Sequence, residues 1–403
     1  MMTDLNINII EDGHIATPLG FHADGQHVGL KHKSKDLGWI ISDVPASVAG
    51  VFTTNQIQAA PVQLTKYTIQ SGQLQAIIVN SGNANAVTGP IGLQHAKEMQ
   101  QVTADVLNLP TDLVAVASTG IIGQVLPIEK VTHGIHQLKA TGNAPAFAQA
   151  IMTTDTLEKH VTISAEISGT TITMSGVAKG SGMLHPNMAT MLAFITTDAN
   201  INSDLLQKSL SDDVETSFNQ ITIDGDTSTN DTVLVMANGQ ANNPEILADT
   251  VAYAQFTQML HYVTEYLAIH MAKDGEGATK LISVHTNGAK EMNDARMIAK
   301  KVVGSSLVKA AIFGKDPNWG RIIAAIGATS VIINPQNIDI KINNIAVLLA
   351  SQPVSYDEQM LAQELEQDEI TIDIDLHSGN AIGKAWGCDL TYEYVKINAL
   401  YTT

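Results

Sequence analysis

The chain has 403 residues, 44% of them hydrophobic and 15% charged, enough to bury a large core in roughly two domains' worth of structure. Forty acidic residues against 22 basic ones leave a net charge of −18, which repels phosphate backbones and anionic lipid and excludes nucleic acid and membranes as expected partners. A single cysteine, Cys388, allows no internal disulfide framework and reads as a small core residue in a reducing compartment. The opening MMTDLNINIIEDGHIATP has no basic or apolar leader pattern, and no run approaches the ~18 apolar residues of a membrane helix. The expected location is the cytoplasm.

In chain order, β-type runs at 75–80 (QAIIVN) and 113–117 (LVAVA) alternate with helical stretches, so the chain mixes α and β. A helix is predicted over 93–107, ahead of Pro110. Two β-rich arms flank Ser168-Gly169, a dipeptide suited to a tight hairpin turn, and the second arm runs into Lys179. A second helix follows Ser203, with Leu206, Leu210, Val214 and Phe218 on one stripe. A third spans 251–271, with Phe256, Leu260, Val263 and Leu267 as its apolar face. It breaks at KDGEG, where two glycines bracket Glu276 in a loop, and a strand is expected over 281–285. No repeat, low-complexity tract or linker marks a domain boundary.

Most familiar chemistry fails on spacing. His22, His27 and His32 recur evenly, but without HExxH, CxxC or a two-His-plus-carboxylate pattern they read as solvated or hydrogen-bonded histidines. The acidic run DGDTSTND at 224–231 has Thr229 where a calcium loop needs glycine and Val235 where it needs glutamate. Near Lys384, Ser378 and Ala385 stand where a phosphate-binding loop needs Gly and Ser/Thr, and no GxSxG elbow occurs. The densest unusual stretch is VAKGSGMLHPNMATMLAFITTDA. There a glycine-rich loop at 180–186 leads through Ala189 and Thr190 into an apolar strand. Taken locally, Thr190 is only a β-favouring residue at a strand start.

KGSGMLHPNMATML resembles the processing site of the ornithine acetyltransferase family, also called the bifunctional glutamate N-acetyltransferase family. GFHADGQHVGLKHKSKDLGWI, AGVFTTNQIQAAPV, VNSGNANAVTG, ASTGIIG, ITIDGDTSTNDT, KDGEGATK, FGKDPNWGRI and NALYTT carry the likeness from about residue 20 to 403. The resemblance implies a precursor that cuts itself between Ala189 and Thr190 into an α chain, 1–189, and a β chain, 190–403, with a C-terminal subdomain at about 280–403. It implies an α+β fold, a layered α/β/β/α sandwich of the self-processed N-terminal-threonine type, with α and β chains associating as a heterotetramer or larger. Thr190 would be the nucleophile, activated once cleavage frees its own α-amine, and Thr119 and Gly120 would stabilise the oxyanion.

Substrate contacts carry over to Thr153, Lys179, Thr190, Glu276, Asn398 and Thr403, with Thr154 and Thr156 as competitors for the place of Thr153. By residue type, Lys179 offers a cation for an amino-acid carboxylate and Glu276 an anion for an ornithine ammonium. The implied reaction moves acetyl from N2-acetylornithine to glutamate through an acetyl-Thr190 intermediate, without cofactor or metal. Acetyl-CoA use stays open, as does the arrangement by which one site takes both side chains. His185 and Asn187 are candidates for shaping the cleavage loop. Two other readings compete: a self-processing aminopeptidase or amidase that passes the acyl group to water, and a non-enzymatic metabolite binder.

Overall fold

The computed structural model describes residues 5–184 and 191–400. Ala189, Thr190, His185, Asn187 and Thr403 lie outside them.

Successive side chains of a strand point to opposite faces, so near-continuous apolar runs such as Leu192–Thr197 and Thr232–Ala237 bury both, and here they do so in four layers. A nine-stranded sheet runs from the hairpin Lys159–Ile167 and Thr170–Lys179, through Leu192–Thr197 and Thr232–Ala237, into Leu37–Phe52, Gln73–Asn83 and Val114–Ile121. The 16-residue strand Leu37–Phe52 belongs to both halves: its end pairs with Thr232–Ala237, its start with Phe21–Gln26, and a register break between Ile41 and Ala46 separates the two stretches paired with Gln73–Asn83. The halves face one another across a shared core in which Ile40, Ile77, Val79 and Ala115 meet Val177, Phe194, Leu234 and Met236. Phe147, from the helix Ala146–Ile151, meets Phe194 edge-on at 5.6 Å.

The alternate residues of each half point outward onto helices. Trp39, Ile78 and Val116 pack on Ala60–Thr68, Gly89–Leu107 and Ile128–Ile135. Ile195, Val233 and Val235 pack on Ser203–Asp213 and Val251–Lys273. This is the expected α/β/β/α order.

Strands from either side of residues 189 and 190 are neighbours in this one sheet: Lys179 pairs with Leu192, and Val51 with Val233. A second, seven-stranded sheet is built mainly from residues beyond 280, around Leu281–Ala289, Glu369–Asp375 and Ala381–Cys388, and it has a core of its own. The upstream pair Ile221–Thr222 joins its edge, parallel to Ala381–Cys388.

The hairpin turn forms as expected, with Ser168 and Gly169 both at positive φ, 53° and 78°. The helix Gly89–Leu107 begins earlier than expected, at Gly89-Pro90, because proline suits a first helical turn. The helix after Asn202 is shorter than its stripe suggests. Asn202, not Ser203, caps it, and it stops at Asp213; there the Ser217 hydroxyl donates to the Asp213 carbonyl and carboxylate and closes the turn locally. Val214 and Phe218 are buried, but beyond the helix end.

Candidate active site

The site sits where the two halves of the sandwich meet. Val114–Ile121 is a buried central strand, and Thr119-Gly120 lies in it rather than in a turn leading to a helix. Gly120 adopts φ +131°, and a Cβ there would stand 2.3 Å from the Gly82 carbonyl carbon, so only glycine lets the neighbouring strand come this close. Across from it, Lys179 ends its strand with its side chain 2% exposed and donates to Thr119 Oγ1 at 3.3 Å. With its oxygen accepting from the ammonium, the Thr119 hydroxyl keeps its own proton to donate.

A cavity of about 80 Å³ opens between them. Thr119, Gly120, Thr153, Lys179, Glu276 and Asn398 all line it. Thr154 lines it too, while Thr156 is turned away into a hydrogen bond with Asp274. Five segments distant in sequence therefore converge on it; Thr190 and Thr403 are not among the described residues. Glu276 is 8% exposed and accepts from Asn398 Nδ2 at 2.8 Å, while its main-chain N–H donates to the Ser181 carbonyl at 2.7 Å. Gly182 stays small for Glu276, since a Cβ there would lie 2.5 Å from the carboxylate.

Burial pushes the Lys179 ammonium below its ordinary pKa; Asp155, Asp231 and Glu276 pull it back up, and Lys159 works with burial. Asp155 organises this charge cluster. It accepts from the Lys159 ammonium at 2.6 Å, from Gly180 N at 2.7 Å and from Thr153 N at 2.9 Å. Burial alone would raise the Asp155 pKa, but Lys159 first and Lys179 second hold it down at about 2. Lys159 is shared with Asp274, at 2.5 Å. Lys31 reaches the same region and donates to the Met152 carbonyl at 2.8 Å; burial lowers its pKa to about 8.

Sequence reasoning passed over Asp155, Lys159, Asn230 and Asp231. Asn230 also lines the cavity and donates from Nδ2 to the carbonyls of Ala84 and Ser118, tying the 224–231 run to the strand Val114–Ile121. The run's acidic spacing was the available signal, read there only against a calcium loop. His22 and His27 are hydrogen-bonded, to Asp43 and to the Ser34 carbonyl, and no group of three or more His, Cys, Asp or Glu among the described residues is placed to hold a metal. Cys388 is a buried core thiol.

The ArgJ family model matches residues 22–403. The chain belongs to the ArgJ family. The arginine biosynthesis bifunctional protein ArgJ of Staphylococcus epidermidis is 58% identical over 398 residues, 98% of this chain and 100% of the relative. That of Listeria monocytogenes is 59% identical over 393 residues, 97% and 99% of the two chains. Among solved structures, ArgJ of Bacillus halodurans is 50% identical with a TM-score of 0.51, covering 52% of this chain and 98% of that one. ArgJ relatives thus match nearly the whole length of the chain.

Proposed function

We propose that the protein is an acetyltransferase of arginine biosynthesis that moves acetyl from N2-acetylornithine to glutamate, after cutting itself between Ala189 and Thr190. The observation that carries the reading is the convergence of Thr119, Gly120, Thr153, Lys179, Glu276 and Asn398 on one cavity, beside the point where the chain re-enters the sheet at Leu192, opposite Lys179. Membership of a family whose relatives are named arginine biosynthesis bifunctional proteins supports the reaction class.

In the cycle, the freed α-amine of Thr190 takes the proton of its own hydroxyl as Oγ bonds to the acetyl carbonyl carbon. The negative oxygen is met by the Thr119 hydroxyl and the Gly120 main chain; a donor of this kind is worth about 10²–10³ in rate. The C–N bond breaks, ornithine leaves with the proton on its amine, and the neutral amine of glutamate then attacks the ester and returns Oγ–H to Thr190. Lys179 takes the amino-acid carboxylate and Glu276 the ornithine ammonium. No cofactor enters these steps.

Cutting would not scatter the product chains, because their strands are neighbours in one sheet. A Bacillus halodurans chain matched over 98% of its own length covers 52% of this one, close to the share of residues 190–403, which supports a two-chain enzyme. Acetyl-CoA as a second donor is part of the proposal, and a second activity is in keeping with the relatives' name "bifunctional". Association as α2β2 or larger, in the cytoplasm, completes the proposal; among the described residues no helix is long and apolar enough to cross a membrane.

A denaturing gel with N-terminal sequencing tests the cut: two fragments are expected, the second starting at Thr190. Thr190→Ala is expected to leave one chain of 42.9 kDa and to lose transfer by more than about 10⁴-fold. Incubation with N2-acetylornithine, with and without glutamate, separates transfer from hydrolysis. Release of acetate with no N-acetylglutamate would establish an amidase instead. The rate with acetyl-CoA and glutamate measures the second donor.

A further inference from the structure

The run KHKSK at 31–35 has no part in the reaction as described, yet it sets three lysines within five residues of a chain whose net charge is −18. Asp36 fixes this loop. It is fully buried and accepts from the main-chain nitrogens of Val28 at 2.6 Å, Leu30 at 2.7 Å and Lys31 at 2.8 Å. The loop so held presents Lys31, Lys33 and Lys35 to one cleft of about 760 Å³, whose other wall runs from Gln149 to His160.

The cations of this cleft are not spent on carboxylates. Lys31 donates to the Met152 carbonyl at 2.8 Å and Lys35 to Gln149 Oε1 at 2.7 Å, both neutral oxygens. Lys33 is exposed and makes no side-chain hydrogen bond or ion pair among the described residues. The acidic groups are engaged elsewhere: Asp155 pairs with Lys159 at 2.6 Å, and Glu158 accepts from Gln149 Nε2 at 2.8 Å. The cleft also adjoins the reaction cavity. Thr153 lines both, one residue after the carbonyl that Lys31 holds.

Sites for larger ligands commonly occupy about 300–1,000 Å³. The reaction cavity, about 80 Å³, takes an acyl end and leaves no room for a nucleotide, whereas the cleft beside it has that room. Unpaired lysines in an otherwise acidic protein suit phosphate. We propose that this cleft is a phosphate-binding subsite for the nucleotide end of an acyl-thioester donor, with Lys33 and Lys35 meeting the phosphates while the thioester reaches past Thr153 into the cavity. The inference rests on the acetyltransferase reading and gives acetyl-CoA, its second donor, a place to bind. With that donor the carbonyl–sulfur bond breaks instead of the C–N bond, and the thiol leaves with the proton that ornithine's amine otherwise takes. A phosphate also suits Lys31: burial lowers its pKa to about 8, Asp36 and Asp155 oppose this, Lys179 adds to it, and a nearby anion favours the charged form.

N2-acetylornithine carries no phosphate, so the two donors separate the cleft from the cavity. Lys33→Glu combined with Lys35→Glu reverses two charges and leaves Asp36 and the cavity lining in place. KM for acetyl-CoA, with glutamate as acceptor, is expected to rise about tenfold or more, while KM for N2-acetylornithine stays within about twofold. Lys33→Ala, which removes no contact within the fold, should raise KM for acetyl-CoA about threefold. In the wild type, adenosine 3′,5′-bisphosphate should compete with acetyl-CoA and leave transfer from N2-acetylornithine untouched.

Unchanged KM for acetyl-CoA in the double variant overturns the inference, as does inhibition of both donors alike by the bisphosphate. Lysine-dependent binding of inorganic phosphate, with acetyl-CoA kinetics unaltered by the variants, would make this a site for free phosphate and overturn the donor assignment. A wild type that transfers from N2-acetylornithine and makes nothing from acetyl-CoA overturns it too, with the transfer reading intact. A wild type that transfers from neither fails that reading and the inference with it.

Discussion

The sandwich half and the C-terminal sheet are built from the same kinds of strand, yet they bury different things. Around Leu281–Ala289 and Glu369–Asp375 the core is nearly all aliphatic: Ile282, Val284, Ile340, Ile370, Ile372 and Ile374 are fully buried. In the sandwich, Asp155, Lys159, Lys179 and Asp231 lie buried within reach of one another's charge. Taking a charge out of water costs several kcal/mol, roughly, even when it is partnered. A fold seeking stability alone would use the first solution, so the second fits the proposed place of chemistry.

The sharpest way to break this contrast is Lys179→Met, which replaces a buried cation by an apolar chain of similar length. Acetyl transfer is expected to fall by about 10²–10³, and the unfolding midpoint in urea to fall as well, because buried Asp155 and Asp231 lose a compensating cation. An unchanged rate would mean that the buried charge serves the fold after all.

Asp155→Asn should cost about 3–5 kcal/mol of stability, because Lys159 and Lys179 lose the carboxylate that compensates them. The wild-type contribution has a definite pH dependence. The folded pKa of about 2 lies below the unfolded value of about 3.9, so the stabilisation is present above about 3.9 and lost as pH falls toward 2. Urea titrations of both proteins from pH 6 down to pH 2.5 should therefore converge.

In the other region, Ile372→Ala should cost about 2–5 kcal/mol by leaving a cavity, while turnover at a temperature where the protein stays folded remains within about twofold. A large loss of kcat would show that the two regions are coupled.

The smallest effect is expected from Lys300, on the helix Met292–Val303, whose pKa burial lowers to about 8 although Glu215 opposes it. Because the folded pKa lies below the unfolded value of about 10.4, the charged form is held at a cost below pH 8, and stability rises between pH 8 and 10.4. Lys300→Met should raise the urea midpoint at pH 7 by the equivalent of about 1 kcal/mol, without loss of activity. That advantage should fade toward pH 10.

Local pattern carried the parts of the molecule that local physics governs. The Ser168-Gly169 turn, the apolar face Phe256, Leu260, Val263 and Leu267, and the break before Glu276 follow from φ preferences and side-chain periodicity, which act over a few residues. Thr119, Gly120, Lys179, Glu276 and Asn398 were named by likeness to a family, and nothing in their own neighbourhoods distinguished them from a strand end or a polar loop. Local reasoning equally allowed Lys179 to be solvated. The structure buries it because Leu192 pairs beside it and Asp155, Asp231 and Glu276 supply compensating charge from three other segments.

By itself, then, the sequence determined the mixed α and β character, the main helices, the hairpin and, through chain-wide likeness, the family and the names of the site residues. Only the tertiary structure decided that Thr153 and Thr154 face the cavity while Thr156 turns to Asp274, that Asp155 holds Lys159 and Thr153 together, and that Asp224 and Asp231 of the 224–231 run accept from the main-chain N–H groups of Leu184 and Met191. The reason is physical. Periodicity and turn preference are properties of neighbours along the chain, whereas compensation of a buried charge depends on groups that become neighbours only after the sheet has closed.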